Sequence, residues 1–329
     1  MKPIKLGVLG VSKHYGLRMH TPLCVLNLFE TRAIGSRQRE RAVEAAEKWG
    51  FSKAYGSYQQ VVDDKEVEAV YIPLTNNLHA EWIKKCADAG KAVLCEKPLT
   101  LNAAEAADAL EYADKKGIMV MEAFMYKFHP QWIKARETMD IGEIGEAAAI
   151  HTVFSFFNND AANIRNQRAL GGGAVYDIGC YAISSARLLM NREPLRVMAN
   201  IEEDPICKVD TLVSAILDFG GPRALFTVST RMAPMQNVSV YGRKGSLTLK
   251  RPFNAYRDSP LTLELNDGNG GPRTLHYGPS DQYGEMLKAF AQALNSGSPA
   301  PLPPEDALAN MKVIDAIFRS GKSGEWEKV

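Results

Sequence analysis

Ala92-Val93-Leu94-Cys95-Glu96-Lys97-Pro98 decides how this chain reads. Its first four residues are apolar and partly β-branched, and they read as a buried parallel strand. In an open α/β sheet, ligands bind in the crevice beyond the carboxyl ends of the strands, so a lysine directly after such a strand points toward that crevice. Pro98 fixes φ and removes a donor. An isolated Glu-Lys-Pro would read as a surface lysine paired with Glu96. The elements on either side reverse that preference.

Upstream, Ile4 to Leu9 reads as a strand and Gly10-Val11-Ser12-Lys13-His14-Tyr15-Gly16 as the turn into a helix. Glycines in such a turn let a helix amino terminus approach a pyrophosphate. Ser12 stands where the second glycine of the fingerprint lies, and Tyr15 at the third, with Gly16 one residue later. By itself a glycine turn without a ligand is an equal reading. A second strand, Thr31 to Gly35, ends in Ser36-Arg37-Gln38-Arg39-Glu40-Arg41. An acid about 20 positions past the glycine turn receives the ribose hydroxyls of NAD, whereas arginine there suits a 2′-phosphate. The acid is missing and arginines are present, so NADP is expected ahead of NAD; the bland alternative is a solvated helix start.

Next come a helix from Ala42 to Trp49, another from Ser57 to Asp63, a strand from Val67 to Pro73, and a helix from Ala80 to Ala89. His79 opens that helix and reads as a residue that hydrogen-bonds backbone or ribose. After the strand ending at Cys95, a helix spans Asn102 to Lys116 and a strand Ile118 to Glu122. Strands alternating with helices imply a doubly wound parallel sheet.

The remaining chain changes character. After Phe128-His129-Pro130-Gln131 and a helix to Met139, strands are read at Ala147 to Phe157, Val197 to Glu202, Thr211 to Phe219, Ala224 to Thr230, Val238 to Tyr241, Ser246 to Lys250 and Leu261 to Leu265. Alternation of Ala224, Phe226 and Val228 with Leu225, Thr227 and Ser229 has the period of a half-buried strand. Helices at Ser280 to Asn295 and Pro304 to Ser320 follow. The expected fold class is therefore α/β: a Rossmann doubly wound parallel sheet plus an α+β domain with an open, mostly antiparallel sheet. The expected domains are 1–123 for the dinucleotide and 124–329 for the second sheet, with the last helices expected to pack back on the first.

The length of 329 residues suits two domains. A formal net charge of +1 offers no global field toward nucleic acid or a membrane surface, and no stretch is long enough to span a bilayer. Five scattered cysteines without a Cys-x-x-Cys pair argue against a disulfide framework or zinc ribbon and fit a reducing cytoplasm. Lys13 and His14 interrupt the first apolar run too early for a signal peptide. The histidines lack metal-ligand spacing, so no metal is expected.

Gly171-Gly172-Gly173-Ala174-Val175-Tyr176-Asp177-Ile178-Gly179-Cys180-Tyr181 is the second informative stretch. If Gly173 opens a helix, Asp177 and Tyr181 lie four apart and share a face. A capping glycine run with a core tyrosine is the structural alternative.

Glu96-Lys97-Pro98-Leu99, Asp177-x-Gly179-x-Tyr181 after the glycine run, and Tyr241-Gly242-x-x-Gly245 together resemble the glucose-fructose oxidoreductase and inositol dehydrogenase family. Met121-Glu122-Ala123-Phe124-Met125-Tyr126 with Phe128-His129-Pro130 is similar to its branch of dimeric dihydrodiol dehydrogenases and xylose dehydrogenases. The resemblance implies an NAD(P)-dependent oxidoreductase that moves a hydride between the nicotinamide and a carbinol or carbonyl carbon of a sugar, polyol or cyclic diol. It also implies that the second domain, 124–329, binds substrate and serves oligomerisation. A ketoreductase on a nucleotide-linked sugar shares these motifs, and a non-catalytic dinucleotide-sensing regulator is the alternative of another class. By position, the resemblance implies that Lys97, Tyr181 and Asp177 are catalytic. The Lys97 ammonium would stabilise a developing oxyanion and lower a phenol pKa of ordinarily ~10. Cofactor binding is expected at Gly10, Ser12, Ser36, Arg37, Arg41, Pro73, Leu74, Asn76, His79, Glu96 and Lys97. Substrate binding is expected at Lys97, Tyr126, Arg165, Asp177 and Tyr181, with specificity in loop side chains such as Asn158, Asn159 and Gln167. A small-molecule sugar or polyol, and a second copy of the chain in a homodimer or homotetramer, are the expected partners; nucleic acid and membranes are not.

Overall fold

The computed structural model describes residues 2–268 and 270–329. The chain through Met125 together with Tyr283–Leu308 makes one compact unit, and Tyr126–Gln282 together with Ala309–Val329 makes the other.

In the first unit, β1 (Ile4–Leu9), β2 (Phe29–Gly35), β3 (Lys53–Tyr55), β4 (Ala69–Ile72), β5 (Ala92–Cys95) and β6 (Val120–Glu122) form one sheet in the order β3-β2-β1-β4-β5-β6. Every pairing is parallel. All four residues of β4 are buried, as a strand covered on both faces requires. The helices between the strands are α1 (His20–Leu26), α2 (Arg39–Trp49), α3 (Tyr58–Asp63), α4 (His79–Asp88) and α5 (Ala103–Lys115). α5 shows why they form where they do. Asn102 caps it by accepting from the Glu105 N–H at 2.8 Å, and Ala106, Ala109 and Ala113 make its buried stripe.

Strand order reverses between β1 and β4. This is the switch point at which a doubly wound sheet opens its ligand crevice, and the loops after β1, β2, β4 and β5 all leave the sheet on that carboxyl edge.

The second unit is built on a nine-stranded sheet of β7 (Ala147–Phe157), β8 (Arg196–Glu203), β9 (Asp210–Asp218), β10 (Arg223–Ser229), β11 (Arg231–Gly242), β12 (Ser246–Leu249), β13 (Leu261–Asn266), β14 (Arg273–Tyr277) and β15 (Glu327–Lys328), ordered β14-β13-β12-β11-β7-β10-β9-β8-β15. Its described pairings are antiparallel except for β7 with β10. Ile150, Phe154, Phe226, Val228, Val238 and Val240 line the buried face, against which α6 (Pro130–Asp140) and α7 (Cys180–Met190) pack. α8 (Gln282–Ser296) and α9 (Pro304–Ser323) complete the chain.

Three strands escape the sequence reading for physical reasons. β3 and β15 are edge strands of three and two residues, too short to show a period, and β14 alternates little because its side chains are mostly exposed. β2 starts at Phe29 rather than Thr31, β4 is shorter than Val67 to Pro73, and β11 begins at Arg231, well before Val238.

Candidate functional site

The residues expected at the site divide between the two units, and each set has its own geometry. In the first, Gly10 follows β1 with φ +102°, a backbone that only glycine adopts cheaply, and its N–H donates to Gly35 O at 2.8 Å. A Cβ there would stand 3.1 Å from Leu74 Cδ2. Ser12 Oγ accepts from the Tyr15 N–H at 3.0 Å, and the chain enters a π-helical turn, Tyr15–Met19, before α1.

That turn accounts for the displaced glycine. Tyr15 is wholly buried, its ring packed on Trp49, Phe51 and Tyr71 at centroid distances of 4.9, 5.5 and 6.4 Å. Gly16 takes the close-packed place instead, since a Cβ on it would lie 2.8 Å from Trp49 Cζ2. A π turn holds one residue more than an α turn, which accommodates the shift.

At the end of β2, Ser36 is buried and its Oγ accepts from the Gln38 N–H at 3.1 Å. Arg37 and Arg41 are exposed, and Arg41 Nη2 donates to Val11 O of the glycine turn at 3.5 Å. No carboxylate occupies the end of β2 itself. These residues, with Gly10, fit a dinucleotide bearing a 2′-phosphate.

After β4, Pro73, Leu74 and Asn76 form the loop into α4, Asn76 opening a short 3-10 turn. His79 is fully buried, with Nδ1 3.0 Å from Pro98 O and Nε2 3.1 Å from Leu74 O. Its ring thus ties the β4 loop to the β5 loop and is spent on backbone. Burial lowers its pKa, and a neutral ring donates to one of the two carbonyls.

Glu96 is held from two sides. Tyr71 Oη donates to Glu96 Oε1 at 2.6 Å, and His14 Nε2 lies 3.2 Å from the same oxygen, close enough for an ion pair but poorly aligned for a hydrogen bond. His14 also meets the Tyr283 ring edge-on at 5.7 Å. Burial alone would raise the Glu96 carboxyl; His14, Tyr71 and Lys97 outweigh it and bring it down to about 2. The carboxylate is thus ionised throughout the working range and ties the glycine turn to the strand end that presents Lys97. Lys97 follows, half-buried, joined to Pro98 by a cis bond. His14 and Tyr71 were not among the expected site residues. His14 stands inside the glycine turn, and that position was the only signal in the sequence.

In the second unit, Gly173 has φ +123° and the chain turns first into a π helix, Val175–Gly179, before α7 begins at Cys180. This corrects the expectation of one regular helix opening at Gly173. Asp177 lies in the π turn and Tyr181 in the α-helix, so their spacing of four does not follow the regular α-helical rule. Asp210 is buried at the start of β9 and accepts from the Val175 N–H at 2.6 Å. Burial raises its pKa to about 6, against the pull of the Val175, Asp210 and Ala174 N–H groups.

Asp177 Oδ2 accepts from Arg165 Nε at 2.6 Å. Tyr181 is 6% exposed and packs on Tyr126, Phe154 and Phe253 at 5.8, 5.8 and 5.2 Å. Tyr126 is fully buried and shares a 2.8 Å hydrogen bond with Ser184 Oγ. Its ring backs that of Tyr181. Asn158 and Gln167 are engaged within their own loop: Asn166 Nδ2 donates to Asn158 Oδ1 at 2.9 Å, and Gln167 Nε2 to Ala162 O at 3.0 Å.

The parallel sheet with its glycine turn after β1 defines a Rossmann-type dinucleotide-binding protein, and comparison with known proteins makes that an NAD(P)-dependent oxidoreductase. Residues 4–124 match the oxidoreductase family with an NAD-binding Rossmann fold, and residues 132–248 match the GFO/IDH/MocA C-terminal domain. The chain belongs to the GFO/IDH/MocA oxidoreductase family. It is 40% identical over the full length of both chains to an uncharacterized oxidoreductase of Rhizobium meliloti. It is 37% identical to a D-xylose 1-dehydrogenase (NADP(+)) of Haloferax volcanii, covering 97% of each chain. Among solved structures, the 3-ketoreductase KijD10 of Actinomadura kijaniata in complex with NADP and TDP-benzene superposes with a TM-score of 0.91 at 31% identity, covering 97% of this chain and 98% of that one.

Proposed function

We propose that this chain is an NADP-dependent dehydrogenase or reductase acting on a free sugar, polyol or cyclic diol. The observation that carries the reading is Lys97, separated from the end of β5 by Glu96 alone, on the carboxyl edge of the parallel sheet whose β2 loop presents Arg37 and Arg41. Residues 1–123 serve the cofactor and 124–329 the substrate and assembly. When bound, the nicotinamide supplies the hydride acceptor or donor. Lys97 places positive charge at the reacting oxygen, Tyr181 carries the proton on or off it, and Asp177 orients a neighbouring hydroxyl. Phe154 and Phe253 pack on the Tyr181 ring and fix its position.

A nucleotide-linked keto sugar is the second substrate reading, favoured by the 0.91 TM-score with KijD10. One screen separates the possibilities: nicotinamide absorbance is followed with free sugars and polyols plus NADP+, and with dTDP-linked keto sugars plus NADPH. Turnover of a free aldose or polyol is the expected result. Turnover restricted to the dTDP compounds moves the substrate to the second reading, and cofactor binding without turnover of either kind defeats the enzyme reading.

The compartment proposed is the cytoplasm, which suits five cysteines that form no disulfide among the described residues; among the described residues no helix is long and apolar enough to cross a membrane. Assembly is proposed through the open face of the nine-stranded sheet. Leu225 and Ile216 are half-exposed there, and Tyr241 is 45% exposed, with His151 edge-on at 5.2 Å. Light scattering at micromolar concentration should return the mass of a dimer or tetramer; a monomer mass refutes this.

A further inference from the structure

We infer that Arg165 is a positioning residue: it works through Asp177, holding that carboxylate on the element that leads into Tyr181. The inference rests on the roles proposed above for Asp177 and Tyr181. Arg165 was expected to bind substrate, yet its Nε is committed to Asp177 Oδ2 at 2.6 Å. The guanidinium also lies 5.7 Å from the centre of the Phe156 ring, so one of its faces is covered. The side chains of the pair are 39% and 16% exposed, Asp177 being the more sheltered. The Asp177 carboxylate raises the Arg165 pKa against the opposing effect of burial, with a smaller contribution from Tyr181.

The backbone explains how the arginine arrives there. Asn163 Oδ1 accepts from the Arg165 N–H at 3.1 Å, fixing the start of the short 3-10 turn Ile164–Asn166. Gly173 N–H donates to Arg165 O at 2.9 Å. A Cβ on Gly172 would stand 2.6 Å from Arg165 O and 2.7 Å from Ile164 O, and one on Gly173 would stand 2.0 Å from Asp210 Oδ1. The glycine run therefore lets two elements close on the start of the helix. On one side Asp210 satisfies its backbone; on the other the Arg165 loop lies against it and delivers a cation to Asp177. Nothing in a phosphate-binding loop would call for this arrangement. A carboxylate in a π turn has a backbone less regular than an α-helix, and the arginine supplies the constraint the turn lacks.

The test uses the full chain with NADP and whichever substrate the screen finds best, and compares Arg165→Met, Arg165→Lys, Asp177→Asn and the double variant Arg165→Met/Asp177→Asn. Arg165→Met and Asp177→Asn should each lower kcat/KM by roughly 10- to 100-fold, divided between kcat and KM in the same proportion. The double variant should fall within about threefold of the worse single, because both changes remove one linked function. Arg165→Lys, which keeps the charge, should recover at least half of the logarithmic loss, with NADP affinity unchanged throughout. If the double loses the product of the single effects, or the kcat to KM division differs, Arg165 acts on substrate independently and the inference is overturned. If Arg165→Met lowers the melting temperature while the folded fraction keeps normal kcat and KM, its role is structural only, and the inference is again overturned. Should Asp177→Asn keep wild-type kcat/KM, the reading of Asp177 itself fails, an outcome separate from the other two.

Discussion

Lys97→Met should lower kcat by roughly 10²- to 10⁴-fold, the range of a lost proton-transfer or charge-stabilising partner, while cofactor affinity changes little. Tyr181→Phe should do the same. The substitution removes only a hydroxyl, and the ring keeps its packing against Tyr126, Phe154 and Phe253. Lys97→Met keeps most of the side-chain volume of a half-buried residue. Neither change touches Gly10, Ser36 or the arginines proposed to hold the pyrophosphate and adenosine end of the dinucleotide, so binding measured by fluorescence titration is the internal control. If the two residues share one step, the double variant should be little worse than either single. Wild-type kcat for Lys97→Met on the true substrate would remove the mechanism and the strongest reason for assigning an activity.

Replacing Arg37 and Arg41 together by alanine should raise the Kd for NADPH by roughly 10- to 100-fold and leave that for NADH nearly unchanged. Charge-assisted hydrogen bonds to phosphate are worth about 1.5–3 kcal/mol each, and both side chains are exposed, which reduces the effect below the sum. The nearest alternative role is structural: Arg41 spans to Val11 O at 3.5 Å and steadies the glycine turn. That role predicts equal losses for both cofactors, because the turn serves the pyrophosphate common to them. Equal losses would therefore reject the 2′-phosphate assignment. Ser36, whose hydroxyl accepts from Gln38 N–H, shapes the loop that carries Arg37.

The alternation of short apolar strands with helices was enough to specify the parallel sheet, and β1 and β5 lie at the residues read for them. The reason is that the middle of this sheet is covered on both faces, so β4 and β5 are apolar throughout, β1 nearly so, and local composition carries the signal. Lys97 was legible for the same reason, since a charged residue ending a buried strand can only lie at the sheet edge. The arginines after β2 were legible by position. Edge strands such as β3 and β15 were not, because pairing on one side with few residues leaves no period to read.

What the tertiary structure alone decided concerns partners distant in sequence. That Glu96 is gripped by Tyr71 and His14, that the His79 ring sits between the Leu74 and Pro98 carbonyls, and that Tyr126 packs on Tyr181 while sharing a hydrogen bond with Ser184 all depend on segments brought together by the fold. The three glycines at 171–173 are visible in the sequence, but their purpose is not: Gly171 takes a positive φ of 79°, and Gly172 and Gly173 are small because Arg165 and Asp210 close on them from segments 8 and 37 residues from Gly173. A sequence shows which side chains can bear charge or donate a proton. Which of those charges is already paired depends on distances that only packing sets, because the energy of an ion pair is determined by separation and burial rather than by order along the chain.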